Sequence, residues 1–289
     1  MIRFVIPAYD EAENIPRLLE NLAPVARSLG ARVIVVDDGS SDGTADIVRA
    51  HARDMHLAVV QHPVNSGLGA AINTGIRAAL SEASDDDAIV TLEADTTSDL
   101  NDLPRMLEEF DKGADMVLAS VYMPGGALLG VSQKRIALSK SVSTTFRYLG
   151  GLQNLHTLSS LYRVYRAGTL RKAADTYGYL LVREPGFAAN VELLLKLYAA
   201  GATIAEVPTT NDWSTRKGQS KMKLKPTALA YFRVMIAHLA GRIQPPARSP
   251  LADVARQRTL PSAPVRALPA VERPLERAAT LPAPIAAER

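Results

Sequence analysis

Four times in its first 110 residues the chain repeats one unit: a short, almost wholly apolar run, then a segment whose apolar residues recur every three or four positions. Arg3-Phe-Val-Ile6 precedes Glu11 to Leu29, where Ile15, Leu18, Leu19 and Leu22 share one helical face. Arg32-Val-Ile-Val-Val36 precedes Thr44 to Arg53, Leu57-Ala-Val-Val60 precedes Leu68 to Leu80, and Ile89 to Leu92 precedes Leu100 to Phe110. Asp115 to Ala119 reads as a fifth strand. Runs without polar alternation are strands buried on both faces, and the periodic segments supply the helices that cover them. The pattern predicts an α/β fold, Rossmann-like, with a mostly parallel sheet between two helix layers. Such sheets bind ligands beyond the carboxyl ends of their strands.

Polar residues collect at those ends. The first strand runs into Pro7-Ala-Tyr-Asp-Glu11, the second into Asp37-Asp-Gly-Ser-Ser-Asp-Gly-Thr44, the third into Asn65-Ser-Gly-Leu-Gly69 and the fourth into Glu93-Ala-Asp95. Each is compatible with ordinary turn and cap chemistry, but four loops converging on one edge point to a ligand. Asp37 is suited to accept hydrogen bonds from a nucleobase or ribose, and the glycines permit close backbone approach. Gly67-Leu-Gly69-Ala-Ala-Ile72 is half of a dinucleotide fingerprint. It lacks the third glycine and sits in the third unit rather than the first, which argues against a dehydrogenase.

Glu93 and Asp95 are two apart on a strand and so face the same side. Like charges held that close repel unless a cation or proton sits between them. Oxygen ligands with open positions suit Mg or Mn, which in turn suit a diphosphate. The alternative is a helix cap made by Thr97 or Ser98.

Charge and composition restrict the function classes. The tail from Gln244 to Arg289 holds seven Arg against four acids and half of the chain's prolines, so of the net charge of +3 none is left for the body. A neutral body argues against nucleic-acid binding, and the aperiodic Pro/Ala/Arg tail over 244–289 is expected to be disordered. The absence of cysteine excludes disulfide and thiolate chemistry and permits a cytoplasmic location. Met1 to Pro7 is too short a hydrophobic run for a signal peptide. No segment reaches the roughly 18 to 20 apolar residues of a membrane span, since Arg233 and His238 interrupt Thr227 to Gly241. The expected protein is soluble or peripheral on a membrane surface.

Taken together, Val-Ile-Pro7-Ala-Tyr-Asp-Glu11, Val-Val-Asp37-Asp-Gly-Ser40, Asn65-Ser-Gly-Leu-Gly-Ala-Ala-Ile-Asn-Thr-Gly75 and Glu93-Ala-Asp95 resemble family 2 glycosyltransferases of the GT-A fold, in particular the dolichyl-phosphate mannose synthase-like branch. The resemblance runs in order from Met1 to about Lys223. It implies a transferase domain over 1–223, followed by an amphipathic helix over 224–243. It implies nucleotide-sugar contacts from Pro7, Tyr9, Glu11, Asp37, Asp38, Glu93 and Ala94. It also implies a divalent ion, Mn or Mg, on Glu93 and Asp95 with Thr97 as a third contact. Glu93 departs from the family's usual Asp by one methylene, which is expected to change the metal preference.

In the second half, Ser132-Gln-Lys-Arg-Ile-Ala-Leu-Ser139 looks like the family's Arg-x-x-x-Ser on an acceptor-side helix. Arg135 and Ser139 lie on one helical face and together suit a phosphate. Leu138, Val142, Phe146 and Leu149 continue as an apolar stripe among Lys134, Lys140 and Arg147, which fits either core packing or an anionic membrane surface. Gly201 to Pro208 resembles the family strand ending in Glu-Val-Pro, and the loop through Arg216 and Lys221 resembles its basic loop ending in Gly-x-Ser-Lys. A solvated basic face is the plain reading of that run; beside a diphosphate donor, a loop closing on phosphates is the functional one. Against the branch, Val121 stands where Arg is expected, Thr157 where Asp is common, and Ser160-Leu-Tyr-Arg163 replaces Ser-Gly-Phe-Arg.

The resemblance therefore implies an inverting, metal-dependent transfer from a nucleotide sugar, GDP-mannose or a UDP-sugar, to a polyprenyl phosphate. Asp95, Arg135 and Ser139 carry the chemistry, and Arg216 and Lys221 neutralise the donor. Two alternatives stay open: a hydroxyl acceptor, for which Asp212 is the available base, and a catalytically silent nucleotide-sugar-binding protein.

Overall fold

The protein is described by a computed structural model covering residues 1–52, 55–178, 180–218 and 221–244. The strands are β1 (Ile2–Ala8), β2 (Arg32–Asp37), β3 (Leu57–Gln61), β4 (Ala88–Thr91), β5 (Met116–Ser120), β6 (Ala127–Leu129), β7 (Arg163–Arg166), β8 (Ile204–Pro208) and β9 (Thr210–Asp212). The helices are α1 (Ile15–Ser28), α2 (Thr44–His51), α3 (Leu68–Leu80), α4 (Leu103–Asp111), α5 (Gln133–Leu149), α6 (Ala167–Tyr177), α7 (Ala189–Ala199) and α8 (Leu224–Leu239). Seven strands form one sheet in the order β3-β2-β1-β4-β7-β5-β8, and β6 pairs with β9 beside it.

Alternation along the strands sorts the core into two layers. Phe4, Ile6, Val33, Val35 and Val117 face α1, α2 and α4 in one cluster. Val5, Ile34, Val36, Met116 and Leu118 face α3, α6 and α7 in the other, which also takes Phe146 of α5 and the inner side of α8. The sheet is thus covered on both faces, as the uninterrupted apolar runs require.

The structure corrects several element boundaries. The first helix begins at Ile15 rather than Glu11, because 11–14 form a turn, with Asn14 and Ile15 N–H donating to Glu11 O, and Pro16 sits in the first turn. The segment from Leu100 splits into a 3-10 turn over Leu100–Asp102 and then α4, with Pro104 near the start of α4. Its cap is Asp99, which accepts from Asn101 N–H, rather than Thr97 or Ser98. β7 is antiparallel to both β4 and β5, so the sheet is mixed. Its polar ends, Arg163 and Arg166, hide it from a search for apolar runs. The last helix ends at Leu239, short of 243. Arg53 and the tail from 245 lie outside the described residues.

Candidate active site

At the carboxyl ends of β1, β2 and β4 the loops enclose a cavity of about 610 Å³. Pro7, Tyr9 and Glu11 line it from the first loop, Asp38 and Gly67 from the second and third, and Glu93, Ala94, Asp95 and Thr97 from the fourth. Arg135 and Ser139 on α5, and Arg216 and Lys221 on the basic loop, close its other sides.

Asp37 is the exception. It is fully buried, its carboxylate oxygens have no hydrogen-bond partner among the described residues, and it is not on the cavity wall. Neighbouring residues at a strand end point to opposite sides, and Asp38 is the one turned to the ligand side. Asp38 Oδ1 takes Ser66 N–H at 3.0 Å and Oδ2 takes Gly67 N–H at 2.7 Å, while His62 Nδ1 lies 2.6 Å from Oδ1. One carboxylate thus shapes the glycine loop. Gly67, at φ +91°, and Gly69 let that loop press on Glu184 and Pro185; a side chain at Gly69 would overlap the Glu184 carbonyl.

β4 ends at Thr91, so Glu93 and Asp95 lie in the loop beyond it rather than on the strand as expected, and their surroundings are distinct. Glu93 Oε1 accepts from Leu161 N–H at 3.0 Å and Oε2 from the Ser98 hydroxyl at 2.6 Å. Burial, and next the Asp95 charge, pushes the Glu93 carboxyl above its usual value. Asp95 Oδ1 accepts from the Thr97 hydroxyl at 2.7 Å, and Oδ2 lies 3.2 Å from Arg216 Nη1. Thr97 also receives Asn211 Nδ2 at 3.4 Å. Its hydroxyl thus orients Asp95. Among the described residues no group of three or more His, Cys, Asp or Glu side chains could hold a metal ion. Two carboxylates suit an ion that takes its remaining ligands from water and phosphate oxygens, as Mg and Mn do. The residues fit such an ion on those terms.

The basic loop reaches back to the first loop. Lys221 Nζ lies 2.7 Å from Glu11 Oε1, and Arg216 Nη2 3.5 Å from the same oxygen. Asn14 receives Lys217 N–H at 2.8 Å and donates to Lys217 O at 3.1 Å. Arg216 thus spans Glu11 and Asp95, a cation between two carboxylates. Trp213, the single tryptophan, lies 5.1 Å from the Arg135 guanidinium and 5.8 Å from that of Arg216. Sequence reasoning missed Asn14 and Trp213. The tryptophan beside a basic run was a usable signal; Asn14 meets a partner 203 positions away and left none.

On the acceptor side, Arg135 Nη2 donates to Met222 O at 3.2 Å. Burial, then the Arg216 charge, lowers its pKa. Val121 and Thr157 lie on the same cavity; the Thr157 hydroxyl accepts from Tyr122 N–H at 3.1 Å and lies 2.9 Å from that of Ser120. The α5 stripe divides. Phe146 is buried and Val142 packs on the core, whereas Leu149 is exposed; the Leu138 side chain lies outside the described set. Asp212 is not on the cavity wall. It caps the turn at Trp213–Thr215, and the Ser214 hydrogen bonds hold its carboxyl below the usual value, which makes it a weaker base.

Comparison with known proteins gives a consistent result. Residues 4–173 match the family model described as Glycosyl transferase family 2. The chain is 31% identical over 246 residues to a polyprenol monophosphomannose synthase of Mycolicibacterium smegmatis, across 83% of this chain and 87% of that one. It is 34% identical over 220 residues to an undecaprenyl-phosphate mannosyltransferase of Micrococcus luteus, across 75% of this chain and 86% of the relative. A crystal structure of glucosyl-3-phosphoglycerate synthase from Mycobacterium tuberculosis, with Mn2+, UDP and glucosyl-3-phosphoglycerate bound, superposes with a TM-score of 0.58 at 19% identity. That match covers 86% of this chain and 81% of the other. The likeness is one of fold, and it bears out the GT-A expectation. On the matched model and the two relatives, the chain belongs to glycosyl transferase family 2 and is a glycosyltransferase.

Proposed function

We propose that the enzyme transfers a sugar, with inversion, from a nucleotide sugar (GDP-mannose or a UDP-sugar) to a polyprenyl phosphate at the cytoplasmic face of a membrane. The observation that carries this reading is that Arg135 and Ser139 lie on the same cavity as Glu93 and Asp95. Read as an anion-holding pair, they share that cavity with the carboxylates expected at the donor. The two curated relatives are named for lipid phosphates, which supports the acceptor class.

The residues divide the work. Pro7, Tyr9 and Asp38 cradle the nucleoside, and Ala94 lets the fourth loop approach the sugar. Arg216 and Lys221, which pair with Glu11 and, for Arg216, with Asp95, turn to the diphosphate when it arrives. A Mn or Mg ion on Glu93 and Asp95 would neutralise the departing nucleoside diphosphate. Arg135 and Ser139 orient the lipid phosphate so that its oxygen attacks the anomeric carbon in line. The new C–O bond forms as the bond to the nucleoside diphosphate breaks, which inverts the centre. The phosphate is already an anion, so no general base is required, and Asp212 need take no part.

The test is transfer of labelled sugar from GDP-mannose, UDP-glucose or UDP-galactose to a short-chain polyprenyl phosphate, with Mn, with Mg and with chelator. Lipid-linked sugar from one donor, lost with chelator, is the expected result. Product only on a soluble hydroxyl compound would overturn the acceptor, and binding of donor without turnover would mark a silent binder.

A further inference from the structure

α8 is apolar on both sides. Its inner side, with Ala230, Tyr231, Val234 and Met235, is buried in the core. Its outer side presents Leu229, Phe232, Ile236 and Leu239 to solvent at 57%, 62%, 46% and 53% exposure. Their spacing of three, four and three places them in one stripe. Scattered apolar side chains are ordinary on a surface, but a contiguous stripe marks a contact. At 16 residues the helix is about 24 Å long, short of the roughly 30 Å of a hydrocarbon core. Among the described residues no helix is long and apolar enough to cross a membrane.

A second helix lies alongside. Near its start, α5 is joined to the residue two before α8 by Arg135 and Met222 O; near their ends, His238 Nε2 lies 2.8 Å from Gly150 O. The two therefore run side by side in the same direction. Tyr148 and Leu149, 70% and 62% exposed, add to the apolar surface at the end where His238 meets Gly150. The charge on both segments has one sign. Residues 213–244 contain seven Lys or Arg and no Asp or Glu, and α5 contains four and none. Of those cations, Lys134, Lys140, Lys225 and Arg242 are exposed, and Arg233 is paired with Glu184.

We infer that the outer face of α8, with the adjoining end of α5, is a docking surface for an anionic lipid bilayer, on which α8 lies in the plane of the interface. An exposed apolar stripe ringed by cations is complementary to acyl chains beneath anionic head groups. A second copy of the chain would bring the same cations against themselves. The C-terminal segment from Gln244, with seven Arg against four acids, carries a charge of the same sign and offers no complement to that ring of cations. Docking in this pose sets Arg135 and Ser139, on α5, beside the membrane that would deliver a lipid-borne phosphate. The surface does not depend on the proposed acceptor, because vesicle binding is read without donor or turnover.

The experiment is co-sedimentation of the full chain with vesicles of phosphatidylcholine alone and with phosphatidylglycerol added. The comparison protein carries Leu229→Glu and Phe232→Glu together. Both side chains already face water, so its melting temperature should equal the parent's. The parent should bind the phosphatidylglycerol vesicles and be released by salt, and the double variant should bind at least roughly tenfold more weakly. Lys225→Glu with Arg242→Glu should weaken binding to the anionic vesicles and leave the melt unchanged. A parent that stays in the supernatant with anionic vesicles, or a double variant that pellets equally, overturns the inference. So does a parent dimer in sedimentation velocity that the double variant splits, since the face would then join two copies.

Discussion

Arg135→Ala separates the acceptor from the donor. In the free enzyme the guanidinium makes a 3.2 Å hydrogen bond to Met222 O and lies 5.1 Å from the Trp213 ring. Losing them costs about 1 kcal/mol for the hydrogen bond and about 0.5 to 1 kcal/mol for the cation–π contact. That is a melting shift of a few degrees, and the fold survives. The acceptor loses more. A charge-assisted hydrogen bond to a phosphate contributes about 1.5 to 3 kcal/mol, which at 1.36 kcal/mol per decade is roughly 10- to 160-fold in kcat/KM for the lipid phosphate. Arg135→Lys keeps the charge without the planar fork and should fall between parent and alanine variant. Initial rates against polyprenyl phosphate concentration at saturating donor give the kcat/KM, and calorimetry with the nucleoside diphosphate gives donor affinity. The expected pattern is a fall in the first with the second unchanged. Parent-like kcat/KM refutes the acceptor role; an equal fall in donor affinity assigns Arg135 to the diphosphate instead.

Asp95→Asn should abolish metal-dependent binding of UDP or GDP while the melting transition persists, whereas Glu93→Asp should keep turnover and change the Mn-to-Mg preference; unchanged nucleotide affinity in Asp95→Asn would sink the metal assignment. Gly69→Ala must push back the Glu184 carbonyl, which costs about 1 to 3 kcal/mol and should lower both the melting temperature and the donor affinity; a parent-like melt would show that the 184–186 segment yields freely. The Asp87 carboxyl is held at about 2: burial opposes its ionisation, and hydrogen bonds from the N-terminal ammonium and Arg3 outweigh that. A depressed acid stabilises the fold above its ordinary pKa of 3.8 and loses that stability as pH falls from about 4 to about 2, at most about 2 kcal/mol because the ammonium is exposed and screened by salt. Acid titration of the melting temperature should therefore be shallower in Asp87→Asn, and an identical acid limb would count against the linkage.

Much of the framework was legible in the chain. Strand and helix periods are local properties, so four repeats of apolar run and amphipathic helix were enough to predict a covered, mostly parallel sheet and to place the ligand at its carboxyl edge. Local geometry also put Arg135 and Ser139 on one face of a helix, whereas β4 ends at Thr91 and the loop beyond it, not the strand pleat, brings Glu93 and Asp95 to the cavity. What remained was decided by contacts between distant segments. β7 enters antiparallel between β4 and β5 because strand pairing is settled by competition among all edges, which no window of residues contains. Which of Asp37 and Asp38 meets the cavity depends on the 62–67 loop that offers its N–H groups to one of them. Thr97 turns its hydroxyl to Asp95, and Asp212 is drawn into a cap away from the cavity. The basic loop is tied to Asn14 across 203 positions. For α8 the sequence shows apolar residues on both sides, and only the packed core determines which stripe is buried and which is left to face water.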